Sequence, residues 1–155
     1  MRRLGIVILI VLGFVLETKV RVLDIGPSLT VMLVYYVGLR HGHIKGLGFG
    51  IIVGALSDAV AGSFLGPGLL GKATVGYMAQ YLRKGLFIWT PVLGVIGLAA
   101  FTAIDGLVSY ICTSLFFETP STFGRALAVV FWQAAANAAF GMFITPGEDE
   151  ADAES

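Results

Sequence analysis

The sequence predicts an all-α integral membrane protein, a compact bundle of six transmembrane helices. Three observations lead there. Of the 155 residues, 57% are apolar and 13% charged, with a mean hydropathy of +0.89, whereas a soluble domain carries about 25% charged residues. Apolar runs recur along the chain, several close to the roughly 20 residues that cross a bilayer. Only short polar or Gly/Pro turns separate them, and none is long enough to hold a soluble domain.

The first span is predicted over 4–19. Arg2 and Arg3 ahead of this apolar run look like a signal peptide, but Glu17-Thr18-Lys19-Val20-Arg21 follows with no small-residue cleavage site, so the run is read as an uncleaved helix. Asp24-Ile25-Gly26-Pro27 forms a turn, and Pro27 suits the first position of the second span, 27–39, which ends after Tyr35 and Tyr36. Residues 40–45 are a short polar loop carrying His41 and His43. The third span, 46–61, is joined to the fourth, 69–82, by a tight turn over 62–68, and the fourth stops at Arg83-Lys84-Gly85. The fifth, 91–117, starts at Pro91. Glu118-Thr119-Pro120-Ser121 is the next turn, and Ser121 or Thr122 is placed to cap the sixth span, 123–144. These elements make one membrane domain over 1–146. Thr145-Pro146-Gly147 releases an acidic tail, 147–155, whose charge and lack of aromatics predict disorder.

With the N-terminus in the cytoplasm, Arg2, Arg3, Arg40, Lys45, Arg83 and Lys84 lie inside, and Lys19, Arg21 and Arg125 outside. This satisfies the positive-inside rule and puts the C-terminal tail in the cytoplasm as well. The basic residues are scattered, with no stripe or aromatic interleaving, so nucleic acid is not an expected partner. Cys112 stands alone in an apolar run, which excludes an internal disulfide.

The most informative stretch is 46–76. Gly46, Gly50, Gly54, Asp58 and Gly62 recur every four residues, and Gly66 follows. A period of four drifts only about 40° per step around a helix, so these positions form a slowly winding groove without side chains. Small residues at that spacing let helix backbones approach closely, which is how helices associate in lipid. The groove is expected to pack an internal neighbour; the other reading is a docking face for a partner helix. Asp58 and Lys72 stand equally far on either side of the turn at Leu65 and therefore at equal depth in a hairpin. Buried ionisable groups must pair. An Asp58–Lys72 ion pair is expected, or a shared site with Asp105, which lies about 21 Å into the fifth span at 1.5 Å per residue. The cluster reads as structural glue rather than as an ion or proton route or a ligand anchor, because Thr74, Gln80, Thr102, Ser109, Gln133 and Asn137 form no continuous periodic track in sequence.

Catalysis, metals and cofactors are not expected. Neither aspartate follows a Gly-x-Gly, and Lys72 would neutralise one of them, which argues against a carboxylate dyad sharing a proton. His41 and His43 fall on the opposite side of the membrane from the polar cluster, have no third ligand nearby and cannot serve a serine nucleophile there. The glycines lack the lysine-serine/threonine ending of a phosphate loop.

Three features resemble the rod shape-determining MreD family. The second span opens on Gly26-Pro27-Ser28-Leu29 and closes on Tyr35-Tyr36-Val37-Gly38-Leu39-Arg40. The third reads Gly46-x-x-x-Gly50-x-x-x-Gly54-x-x-x-Asp58. Then comes Asp58-x-x-x-Gly62-x-x-Leu65-Gly66, with Leu69-Leu70, Tyr77 and Tyr81 ahead of Arg83-Lys84. Ser28 stands where that family often has an acidic residue. The resemblance implies a bacterial inner-membrane scaffold of the cell-elongation machinery. It would bind MreC and work with MreB, RodA and a class B penicillin-binding transpeptidase to keep peptidoglycan synthesis lateral. The implied fold is similar to the substrate-binding subunits of energy-coupling-factor transporters. That similarity carries the alternative, a small-molecule-binding subunit of a vitamin transporter. The bulky first span, Leu4-Gly5-Ile6-Val7-Ile8-Leu9, lacks the small-residue face such a subunit uses.

Overall fold

The structure, a computed structural model, describes residues 28–62, 65–84, 90–116 and 122–144. The predicted first span, the Pro27 helix start, Ser121 and the acidic tail lie outside these residues. The described residues form helices α1 (Leu29–His41), α2 (His43–Val60), α3 (Pro67–Lys84), α4 (Pro91–Phe116) and α5 (Phe123–Gly141).

Two starts differ from the sequence reading, each for a local reason. The polar loop expected over 40–45 contracts to Gly42, whose φ of 90° only glycine adopts freely, and α2 begins at once with His43. The fourth predicted span begins two residues early, at Pro67, because proline has no N–H to lose and a fixed φ suited to the first helical position. Pro91 opens α4 in the same way. Thr122 occupies the N-cap of α5 without a side-chain cap bond; its carbonyl instead accepts the Arg125 and Ala126 N–H groups at 2.9 and 3.1 Å.

α3 is the central element, packing against α1, α2 and α4, while α5 packs along α4. The apolar core runs through Val31, Val34, Tyr35 and Leu39 of α1, Val53 of α2, Val75 and Ala79 of α3, and Leu98 and Phe101 of α4. Tyr35 and Phe101 meet with ring centroids 5.7 Å apart. The outside is more greasy than a water-facing surface tolerates. Ile52, Leu56 and Val60 of α2, Ile96 and Ile111 of α4, and Phe131 and Trp132 of α5 are all exposed, whereas Asp58, Lys72, Gln80, Thr102, Asp105 and Asn137 are buried. This inversion suits a lipid solvent, where polar groups must be satisfied inside. α2 and α4 are long and apolar enough to cross a membrane.

The glycine groove packs an internal neighbour. An added methyl at Gly46 would strike the Gly76 carbonyl, at Gly50 the Lys72 carbonyl, and at Gly54 the Gly68 carbonyl at 2.5 Å. The two antiparallel backbones thus touch at every fourth residue of α2. Gly38 joins from α1, with room for no methyl beside the Gly76 oxygen, 2.5 Å away. Gly62 departs from this pattern. It is exposed, has φ 64° and has open space where a side chain would go, so it serves the turn rather than the groove. Gly66 sits in the same connection, and its role is to present an N–H, described below.

Gly50→Ala and Gly54→Ala are expected to destabilise the folded protein by about 1–3 kcal/mol each, because backbone cannot yield to the methyl. Gly48→Ala, on the same helix but with open space around it, is expected to be neutral or to stabilise by up to about 1 kcal/mol through helix propensity. Reversible unfolding in mixed micelles, followed by circular dichroism, separates the two classes.

Candidate functional site

The N-terminus of α3 exposes first-turn N–H groups that lipid cannot satisfy. Pro67 removes one of them. Asp58, near the end of α2, takes three: its Oδ2 accepts the N–H of Gly66 at 2.9 Å and of Leu69 at 3.1 Å, and its Oδ1 accepts that of Gly68 at 2.8 Å. The Leu70 N–H closes the first α-helical bond onto the Gly66 carbonyl at 2.8 Å. The positive end of the helix dipole favours the carboxylate there. Gly68 is required for the approach, since a methyl on it would lie 2.5 Å from Asp58 Oδ1.

The opposite end of the pair mirrors this arrangement. Gln80 of α3 reaches the start of α2, where its Oε1 accepts the His43 backbone N–H and faces the His43 ring Nδ1 at 2.6 Å. Each helix of the hairpin therefore caps the N-terminus of the other. His43 also meets Tyr77 edge-on, with centroids 5.7 Å apart.

Asp105 of α4 approaches α3 at Gly71, where a methyl would collide with its Oδ1. Its Oδ2 lies 3.6 Å from the Lys72 ammonium, and the side chains of Lys72 and Asp105 are 8% and 10% exposed. The cluster is thus organised as a shared site in which Lys72 pairs with Asp105, while Asp58 spends both oxygens on the α3 terminus.

All three residues line one cavity of about 580 Å³, set where α2 ends, α3 and α5 begin, and α4 passes its midpoint. Ser109 and Gln133 line it too. Ser109 donates to the Pro67 carbonyl at 3.3 Å. The other polar groups singled out in the sequence are elsewhere. Thr74 bonds back to the Leu70 carbonyl at 2.8 Å. Asn137 donates to Thr102 Oγ1 at 2.9 Å and to the Ser28 carbonyl at 3.5 Å, joining α5, α4 and the entry to α1.

The chain has a family. The model for rod shape-determining protein MreD matches residues 2–146. The chain belongs to the MreD family. No curated protein and no solved structure matches it. The MreD family comprises non-catalytic proteins of the bacterial inner membrane that determine cell shape, and the two membrane-capable helices accord with that setting.

Sequence reasoning found the α2 half of the contact and missed its partners. Gly68 and Gly76 lie eight residues apart on α3, in step with the four-residue rhythm of α2, and Gly71 adds a seat for Asp105. That rhythm was the available signal. Nothing in sequence marked Gln80 as a cap for a helix 37 residues away.

Removing one member of the buried pair leaves an uncompensated charge. Lys72→Met or Asp105→Leu alone is therefore expected to cost about 3–5 kcal/mol, while the double variant recovers most of the loss. A double-mutant cycle on unfolding free energy measures this. Asp58→Ala removes a cap and is expected to cost at least the ~1–2 kcal/mol of a strong N-cap, with the loss localised to α3 by amide exchange.

Proposed function

We propose that this MreD-family chain is a membrane scaffold of the cell-elongation machinery. In this reading it is a six-helix bundle with both termini in the cytoplasm and a fold like the substrate-binding subunits of energy-coupling-factor transporters. It holds MreC and works with MreB, RodA and a class B penicillin-binding transpeptidase to keep wall synthesis lateral. The 147–155 tail and the basic cytoplasmic turns offer contact points inside.

The observation that carries the reading is how the ionisable groups are used. Asp58 closes a helix terminus and Lys72 neutralises Asp105. These residues are committed to holding helices together, as a platform needs. The glycine contact adds a rigid centre, since close backbone packing leaves few alternative registers.

Two measurements test it. A tagged chain solubilised from membranes is expected to retain MreC, and a cell depleted of its own copy is expected to regain rod shape when this chain is supplied; absence of both would overturn the scaffold. Topology is read from single cysteines in a Cys112→Ala background. Ser155→Cys is expected to resist a membrane-impermeant thiol reagent in intact cells, and Gly62→Cys to react.

A further inference from the structure

We infer that the cavity beside Lys72 is a binding site for a neutral, hydroxyl-rich guest of the sugar or polyol class, a role that goes beyond scaffolding. Its lining decides the chemistry. Among the described residues, six that carry hydroxyls line it, Ser28, Ser57, Ser109, Tyr110, Thr113 and Ser114, of which Ser109 and Thr113 already donate to backbone carbonyls. The charged lining among the described residues is Asp58 and Asp105 against Lys72 and Arg125, two of each sign. A guest with net charge would leave that balance broken in a low-dielectric site, which costs several kcal/mol. An apolar guest would strip water from the hydroxyls without replacing their hydrogen bonds.

Unused bonding capacity gathers at the same place. Lys72 is 7% exposed, and among the described residues its ammonium meets Asp105 at 3.6 Å, beyond hydrogen-bond length, so its three donors have no acceptor. The Gln133 amide and the Ser28 and Ser57 hydroxyls also make no hydrogen bond among the described residues, although Gln133 is half-buried. Asp58, in contrast, is already committed to three N–H donors. The site thus presents ammonium and amide donors with hydroxyls that give or accept. Oxygens of a polyol answer that set. The Tyr110 ring, held beside Phe123 with centroids 5.8 Å apart, supplies an aromatic wall on which a pyranose face can rest. The volume of about 580 Å³ falls within the range of small-molecule sites.

The source of such a guest is either a free sugar or a sugar carried on a lipid, and two probes distinguish them. The full chain is purified in a detergent with no sugar headgroup and titrated with methyl β-glucoside, and it is separately placed in nanodiscs with or without glucosyl diacylglycerol. Thermal unfolding is followed in both. A rise in unfolding temperature with either probe is expected, the responding arm naming the source. Glucose 6-phosphate and glycine betaine serve as charged and zwitterionic controls, and a larger response to either than to the neutral probes overturns the proposal, as does no response to both neutral probes. Gln133→Leu loses no hydrogen bond of the described structure and is expected to fold as the parent while weakening the neutral probe about fivefold, the value of one hydrogen bond. Unchanged binding in that variant also overturns the site. Lys72→Gln keeps donors and is expected to bind better than Lys72→Met; if either unfolds, Gln133→Leu decides.

Discussion

Backbone-to-backbone contact between α2 and α3 is the constraint on which the rest of the structure depends. In lipid, helices gain nothing from hiding apolar surface from one another. They associate where they can come closest, and here Gly46, Gly50 and Gly54 admit the carbonyls of Gly76, Lys72 and Gly68. Carbonyl oxygens are fixed points on a helix, so the fit sets the register as well as the distance. A slip by one residue would set a side chain of α3 against the groove instead of a carbonyl.

Register then decides what the polar residues do. Because α2 meets α3 in this phase, Asp58 arrives at the proline-opened terminus of α3, and Gln80 arrives at the terminus of α2. The two helix starts are closed by each other's side chains, which in a bilayer replaces the water that a soluble protein would use. α4 joins through the same economy of small residues: Gly71 lets Asp105 lie against α3 beside Lys72. The charge of each partner is met within the bundle, and the greasy residues are left to the outside.

A consequence is the division of the molecule into two ends. At the Gln80 end, His43, Tyr77 and Tyr81 form an edge-to-face aromatic row of the sort found at membrane–water boundaries. At the Asp58 end, a polar cavity lies next to the buried pair. One end carries the aromatic row; the other keeps polar groups with bonding capacity to spare. A scaffold that also receives a small polar guest would do so at this second end.

The helical, membrane-type class was legible from composition and from the recurrence of apolar runs, because lipid imposes helices on any chain that must satisfy its backbone internally. The four-residue glycine rhythm was legible too, since helix geometry turns that spacing into one face regardless of context. The sequence order also identified Asp58, Lys72 and Asp105 as residues needing partners, since isolated charge is costly in lipid. Which partner each took was decided by tertiary structure. Asp58 and Lys72 are level in a hairpin, yet the carboxylate turns to three backbone N–H groups that appear only once Pro67 starts a helix beside it, and Lys72 is left for Asp105 from a different helix. Gly62 keeps the spacing of the groove but leaves it, because the chain must turn there. Periodicity is a property of one helix and can be read from its residues; the choice among competing partners depends on which backbones come within hydrogen-bond reach, and that distance exists only in the assembled bundle.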